Sequence, residues 1–251
     1  MDQAKAENFF EIKTEKDFNR ICLHNFDKLY VVLFYAEWHE PSKHLINVVK
    51  SLSKVHEGNV IFFVINADEV EALASSFSVE VVPTILFMKA TKEVMFRLEE
   101  DSPSTLSQKV DEYLNTFKIT FEAQKSKIFP KIEELIRSSP LFIFIKGTPA
   151  NPKCGFSEQL IQALNELKVK YSSFDILSDE ELRNWLRYYS NWVTYPQVYL
   201  EGKFIGGLDI TRGLIKEGKF QEMIKHLNIK DEPKNIVERI LQSGNVIALI
   251  E

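Results

Sequence analysis

Lys146-Gly147-Thr148-Pro149-Ala150-Asn151-Pro152-Lys153-Cys154-Gly155-Phe156-Ser157 is the stretch that decides how this chain is read. Before it stands an apolar run, Leu141-Phe142-Ile143-Phe144-Ile145, with the composition of a buried strand. After it, Leu160, Ile161, Leu164 and Leu167 recur at helical spacing. Cys154 therefore lies where a loop becomes a helix, and a thiol there meets unpaired backbone N–H groups and the positive end of a helix dipole. Lys153 adds a neighbouring cation. Such surroundings favour a thiolate, the form that attacks disulfides and binds soft metals. Position 157, where a Cys-x-x-Cys pair would keep its second sulfur, is serine. The site has one sulfur.

Further along stand Asp175-Ile176-Leu177, Trp192-Val193-Thr194-Tyr195-Pro196-Gln197 and Gly206-Gly207-Leu208-Asp209. Together with the opening stretch they resemble the monothiol glutaredoxins, whose signature is Cys-Gly-Phe-Ser after a Lys-Gly-Thr/Ser-Pro strand end. Val193 departs from the proline common in that family. The resemblance implies a cis Pro196, with the Tyr195 backbone offered to an extended peptide by strand addition. It implies that Gly206-Gly207 lets a turn approach a ligand closely, with the Leu208 N–H and Asp209 facing that ligand's α-carboxylate and α-amino groups. Lys146 and Arg187 would each contact a carboxylate at the other end. The ligand so implied is glutathione, bound by Lys146, Cys154, Phe156, Arg187, Tyr195, Pro196, Gly207, Leu208 and Asp209. Without the resemblance, Lys146 and Arg187 read as surface charges, and Trp185 and Trp192 as packing residues.

Two functions follow from the resemblance. In the first, Cys154 is a metal ligand: two chains and two glutathiones supply four sulfurs to a [2Fe-2S] cluster bridging a homodimer, as ligation by thiolates requires. That implies cluster transfer or iron sensing, with a BolA-like protein and iron–sulfur client proteins as partners. In the alternative, Cys154 is the nucleophile of a weak glutathione-dependent thiol–disulfide oxidoreductase, removing glutathione from mixed disulfides.

Composition narrows the classes. A net charge of −5 argues against a nucleic-acid binder that neutralises phosphates. Leu29 to Ala36, a strongly apolar run, is far shorter than the roughly 18 residues of a membrane span, and Met1 to Glu7 lacks a signal-peptide core. Two cysteines make no disulfide framework, which suits a reducing cytoplasm or nucleus.

In the N-terminal half the apolar runs Phe9–Ile12, Tyr30–Ala36, Val60–Ile65 and Ile85–Met88 read as strands, with Glu93–Leu98 as an edge strand. Helices are predicted from Thr14 to about Phe26, from Pro41 to about His56, over 69–77 and over 104–117. This β-α-β-α-β-α-β-β-α order, with Ala36-Glu37-Trp38-His39-Glu40-Pro41-Ser42-Lys43, is similar to a thioredoxin domain. Its two redox cysteine positions hold His39 and Ser42, and Leu33 stands where thioredoxins usually keep a buried aspartate. Thiol–disulfide exchange needs an attacking and a resolving thiol, so the domain is expected to be redox-inert and to act in docking or targeting. His39 and His44 have no third ligand nearby and read as solvated, and Cys22 reads as a small core hydrophobe.

The predicted class is α/β: two thioredoxin-fold domains in tandem, with four- to five-stranded mixed sheets flanked by helices. The predicted bounds are 1–117, a linker at 118–127, a glutaredoxin domain at 128–230, and an extension at 231–251 resembling the start of a further repeat. Ser178 with Glu181 predicts a capping box, and Glu201-Gly202 a hairpin turn.

Overall fold

The computed structural model describes residues 8–225 and 227. Two compact units divide the chain between Gln124 and Lys125. The first contains β1 (Phe9–Ile12), α1 (Glu15–His24), β2 (Leu29–Tyr35), α2 (Glu40–Val55), β3 (Val60–Asn66), α3 (Glu71–Ser76), β4 (Thr84–Met88), β5 (Val94–Leu98) and the first part of α4 (Pro103–Arg137). Its sheet runs β1-β3-β2-β4-β5, with β1 and β2 parallel to β3 and the other two pairings antiparallel. Central β2 and β3 are buried on both faces, as a sheet covered by helices requires. On one face Phe18 and Cys22 of α1 join Tyr30, Val32, Phe34, Phe63 and Leu86 in a single core. The Phe18 and Phe63 rings lie 5.0 Å apart, and complete burial of a side chain such as Phe18 contributes roughly 1.5–3 kcal/mol.

The second unit takes the end of α4, then β6 (Leu141–Ile145), β7 (Gly147–Thr148), β8 (Asn151–Pro152), α5 (Gly155–Glu166), β9 (Ser172–Asp175), α6 (Glu180–Ser190), β10 (Gln197–Leu200), β11 (Lys203–Gly206), α7 (Leu208–Lys216) and α8 (Lys219–Ile224). The sheet order is β11-β10-β6-β9, with β6 parallel to β9 and β10 antiparallel to both neighbours. Leu141, Ile143 and Ile145 pack against Leu160, Ile161 and Leu164 of α5 and against Leu208 and Phe220. Both units are thus α/β, with mixed sheets of five and four strands, as predicted.

Three local expectations change. The stretch 118–127 is helical, part of a 35-residue α4, and the division between units falls inside it. From Leu106 to Ile132 its buried residues, Leu106, Val110, Phe117, Phe121, Ile128 and Ile132, are spaced alternately by four and seven, so one apolar stripe passes through the polar stretch without losing phase. Pro130 lies inside this helix. The cap of α6 is Asp179, whose carboxylate accepts from the Leu182 N–H at 2.8 Å; Ser178 instead donates to the Asp175 carbonyl. The sequence alone places the last helical pieces of this unit over 211–227; the structure begins them three residues earlier, at Leu208. The expected partial repeat at 231–251 lies outside the described residues.

Candidate functional site

The loop after β6 is pinned at both ends. The Lys146 N–H donates to the Ser157 hydroxyl at 3.1 Å, and the Lys146 carbonyl accepts from the Lys153 N–H at 2.8 Å. Between them the chain folds back as the β7–β8 pair. Gly147 makes this possible: its φ is +85°, and a Cβ there would lie 2.4 Å from the Asn151 carbonyl oxygen. One Asp175 carboxylate oxygen accepts from the N–H groups of Gly147 (2.8 Å) and Leu177 (2.9 Å), which gives the Asp175-Ile176-Leu177 motif a physical use. It ties the end of β9 to the loop.

Cys154 is the N-cap of α5, in extended conformation, and its side chain makes no capping hydrogen bond. The sulfur is partly exposed. It therefore sits at the positive end of a 12-residue helix with no hydrogen bond of its own among the described residues. Ser157, one turn on, is fully buried and bonded to Lys146.

A groove of about 470 Å³ opens beside Cys154. All nine residues assigned to glutathione on resemblance line it: Lys146, Cys154, Phe156, Arg187, Tyr195, Pro196, Gly207, Leu208 and Asp209. The Tyr195-Pro196 bond is cis. Tyr195 is held by its hydroxyl, which donates to the Arg183 carbonyl at 2.6 Å, and its ring lies 5.7 Å from the Arg187 guanidinium. Phe156 is 61% exposed at the rim, while the Leu208 side chain is in the core and can offer a ligand only its backbone. Asp209 is exposed in the first turn of α7.

Two polar groups in the groove have capacity to spare. Arg187 Nη1 donates to Asn184, but its Nε is buried with no partner among the described residues. Burial lowers the Arg187 guanidinium below its ordinary range, and an incoming carboxylate would satisfy the free donor and offset that desolvation. The indole Nε1 of Trp192 is likewise buried and unpartnered among the described residues. Lys146 takes part in no ion pair among the described residues. With Asp209 on the other side, the groove suits a ligand carrying carboxylates and an amino group.

The structure adds Trp192, Val193, Thr194 and Ile210 to the lining. The signal was present in the Trp-Val-Thr-Tyr-Pro run, but packing is the ordinary meaning of a tryptophan. Trp192 does pack, with its ring 5.6 Å from Phe204, yet the Gly206-Gly207 pair explains its place. A Cβ on Gly207 would stand 3.3 Å from the indole nitrogen, and one on Gly206, at φ +148°, 2.8 Å from Ile210 Cβ. The close approach these glycines allow is first to the chain's own Trp192 and Ile210. Trp185 is a packing residue as expected, edge-on to Phe129.

The matching junction of the first unit holds no thiol. His39 caps α2, its Nδ1 accepting from the Ser42 N–H at 3.2 Å, and Ser42 is fully buried. Leu33 is buried in the sheet. His44 is exposed and Cys22 buried, and burial pushes the Cys22 thiol up to about 12.

A thioredoxin family model matches residues 9–112 and a glutaredoxin family model residues 141–205. Glutaredoxin 3 of Danio rerio is 34% identical over 236 residues, which is 92% of this chain and 72% of that one. Monothiol glutaredoxin-4 of Schizosaccharomyces pombe is 31% identical, over 85% of this chain and 98% of its own. Monothiol glutaredoxin-4 of Saccharomyces cerevisiae is 32% identical, over 82% and 94%. A thioredoxin-like unit without a dithiol, followed by a single-sulfur glutaredoxin unit, places this chain in the family of multidomain monothiol glutaredoxins.

Proposed function

We propose that the chain binds glutathione in the groove beside Cys154 and, paired with a second copy, carries a [2Fe-2S] cluster as cargo in iron–sulfur transfer or iron sensing. The observation that carries this is the pairing of an unused, partly exposed thiol with a neighbour position that is a buried, bonded serine. Among the described residues no three His, Cys, Asp or Glu side chains of one chain gather into a metal-holding group. One thiolate per chain fits a cluster only if the other sulfurs come from outside, and two copies of Cys154 with two glutathione thiols make four. Ligands that can leave suit a carrier. Within the chain, Lys146 and Arg187 would hold the carboxylate at one end of glutathione, the Tyr195 backbone its extended middle, and the Gly207-Leu208-Asp209 turn its amino-acid head. A BolA-like protein and iron–sulfur clients in the cytoplasm or nucleus complete the proposal.

The same exposed sulfur supports a second reading, reduction of glutathionylated proteins. The Cys154 thiolate would attack the glutathione sulfur of a mixed disulfide, releasing the substrate thiolate, which takes up a proton. A second glutathione thiolate would then attack the Cys154–glutathione disulfide, returning the Cys154 thiolate and releasing glutathione disulfide. Ser157 cannot resolve that intermediate, so the second thiol has to come from solution.

Anaerobic incubation with iron, sulfide and glutathione, read by visible absorbance and by size, separates the two. Cluster bands in a dimeric fraction, both lost in Cys154→Ser, support the first reading. Rapid turnover of a glutathionylated peptide by a chain that forms no such bands overturns it in favour of the second.

A further inference from the structure

We propose that the N-terminal unit docks an extended, lysine- or arginine-bearing segment of a partner protein in the groove beside His39. A cavity of about 560 Å³ opens there between the tip of α2, the start of α3 and the loop before β4, within the size range of ligand clefts. Two large apolar side chains border it in the open: Trp38 is 71% exposed and Val81 51%. An exposed aromatic beside a concavity is a feature of interfaces more than of ordinary surface. The Trp38 ring is also held in place, its Nε1 donating to Asp68 at 3.0 Å and its ring lying 5.7 Å from that of His39 in a T-shaped contact. A contact made with a fixed ring loses little side-chain entropy.

Charge names the occupant. Asp68, Glu71 and Glu80 line the cavity, no lysine or arginine lines it, and none of the three carboxylates is in an ion pair among the described residues. Three unneutralised carboxylates around an apolar floor repel anions and attract cations. The corresponding groove of the second unit has Lys146 and Arg187 in its lining and suits carboxylates. The two grooves therefore select opposite charges, and a tripeptide with two carboxylates is disfavoured in the first. His39 stands where a thiol would be and its Nδ1 is taken up in capping α2, so the association is non-covalent and the segment leaves unaltered.

The test uses the full chain and two labelled peptides, Ala-Leu-Lys-Val-Arg-Leu-Ala and Ala-Leu-Glu-Val-Glu-Leu-Ala, followed by fluorescence anisotropy and by amide chemical-shift mapping. The basic peptide is expected to saturate, with shifts centred on Trp38, Glu71 and Val81, and the acidic peptide to show no saturation. Raising the salt, or making the Glu71→Gln/Glu80→Gln double variant, should weaken binding about fivefold or more. Trp38→Ala, which changes an exposed side chain, should do the same and carries the test if the double variant does not fold. Equal binding of both peptides, unchanged affinity in folded variants, or shifts confined to the second unit would each overturn the proposal. So would self-association that shifts the same amides with no peptide present.

Discussion

The two strand-to-helix junctions of this chain keep the same brace and differ in the reactive atom. In each, a fully buried serine one turn into the helix ties that helix back to the strand end: Ser42 to the Ala36 N–H at 3.3 Å, Ser157 to the Lys146 N–H at 3.1 Å. In each, a cis X-Pro bond, Val82-Pro83 or Tyr195-Pro196, adjoins the groove. Three residues before the serine the units part. His39 is engaged as a cap, whereas Cys154 is left unengaged. The scaffold is thus independent of the sulfur. Chemistry depends on whether the N-cap atom is free and on which charges surround it.

That contrast can be broken most directly at Cys154. Cys154→Ser should abolish glutathione mixed-disulfide formation, seen by intact mass after incubation with glutathione disulfide. Alkylation by iodoacetamide under native conditions should label Cys154 and leave Cys22 unmodified, because Cys22 is buried and pushed up to about 12. Equal labelling of both cysteines in a folded chain would end the distinction between a working and a structural thiol.

The scaffold side of the contrast is sharpened by Gly147→Ala. Its Cβ has no room beside the Asn151 carbonyl, and its φ lies where glycine is favoured, so a loss of about 2–4 kcal/mol in the second unit is expected by denaturant titration. Gly58→Ala in the first unit has the same sign of φ but open space, and should cost about 1 kcal/mol. The charge side rests on Arg187. Arg187→Ala removes a charged donor and should weaken glutathione binding about tenfold to a hundredfold by calorimetry, in line with about 1.5–3 kcal/mol for a hydrogen bond to a charged group. No change would mean that the groove binds without its cation.

The smallest effect concerns pH and the first unit. The Cys22 thiol ionises from 9.0 when unfolded but, buried, only at about 12. Between those values the unfolded state has lost the proton that the folded state still holds, so this contribution to stability is full below about pH 9 and declines as pH rises toward about 12. Cys22→Ala should show a shallower decline between pH of about 8 and about 10.5 in chemical denaturation. Tyr30, raised by the same burial, leaves some slope behind.

Much of the fold was legible because its signals are local and strong. Continuous apolar runs such as Tyr30 to Phe34 and Leu141 to Ile145 have one reading in a covered sheet, and Thr14 before Asp17 is a cap by its chemistry. Over 118–127 the sequence reads as a linker because the surface of α4 there is polar; the phase carried by Phe117, Phe121 and Ile128 shows only across a longer window. Ser178 and Asp179 are neighbours of equally suitable type to cap α6, and only the backbone angle chooses between them. The site was legible as residues through resemblance, but not as contacts. Nothing in the order of letters says that the unmet indole N–H of Trp192 lies over Gly207, or that Arg187 has a donor in reserve.

The buried hydroxyl of Ser157 has one more effect. An oxidised Cys154 finds no second sulfur at that position, so its oxidation cannot close into a disulfide between the two junction residues. Whatever quenches the oxidised sulfur there has to diffuse in. Without such a thiol, further oxidation of that sulfur would run on to the irreversible sulfinic and sulfonic acids.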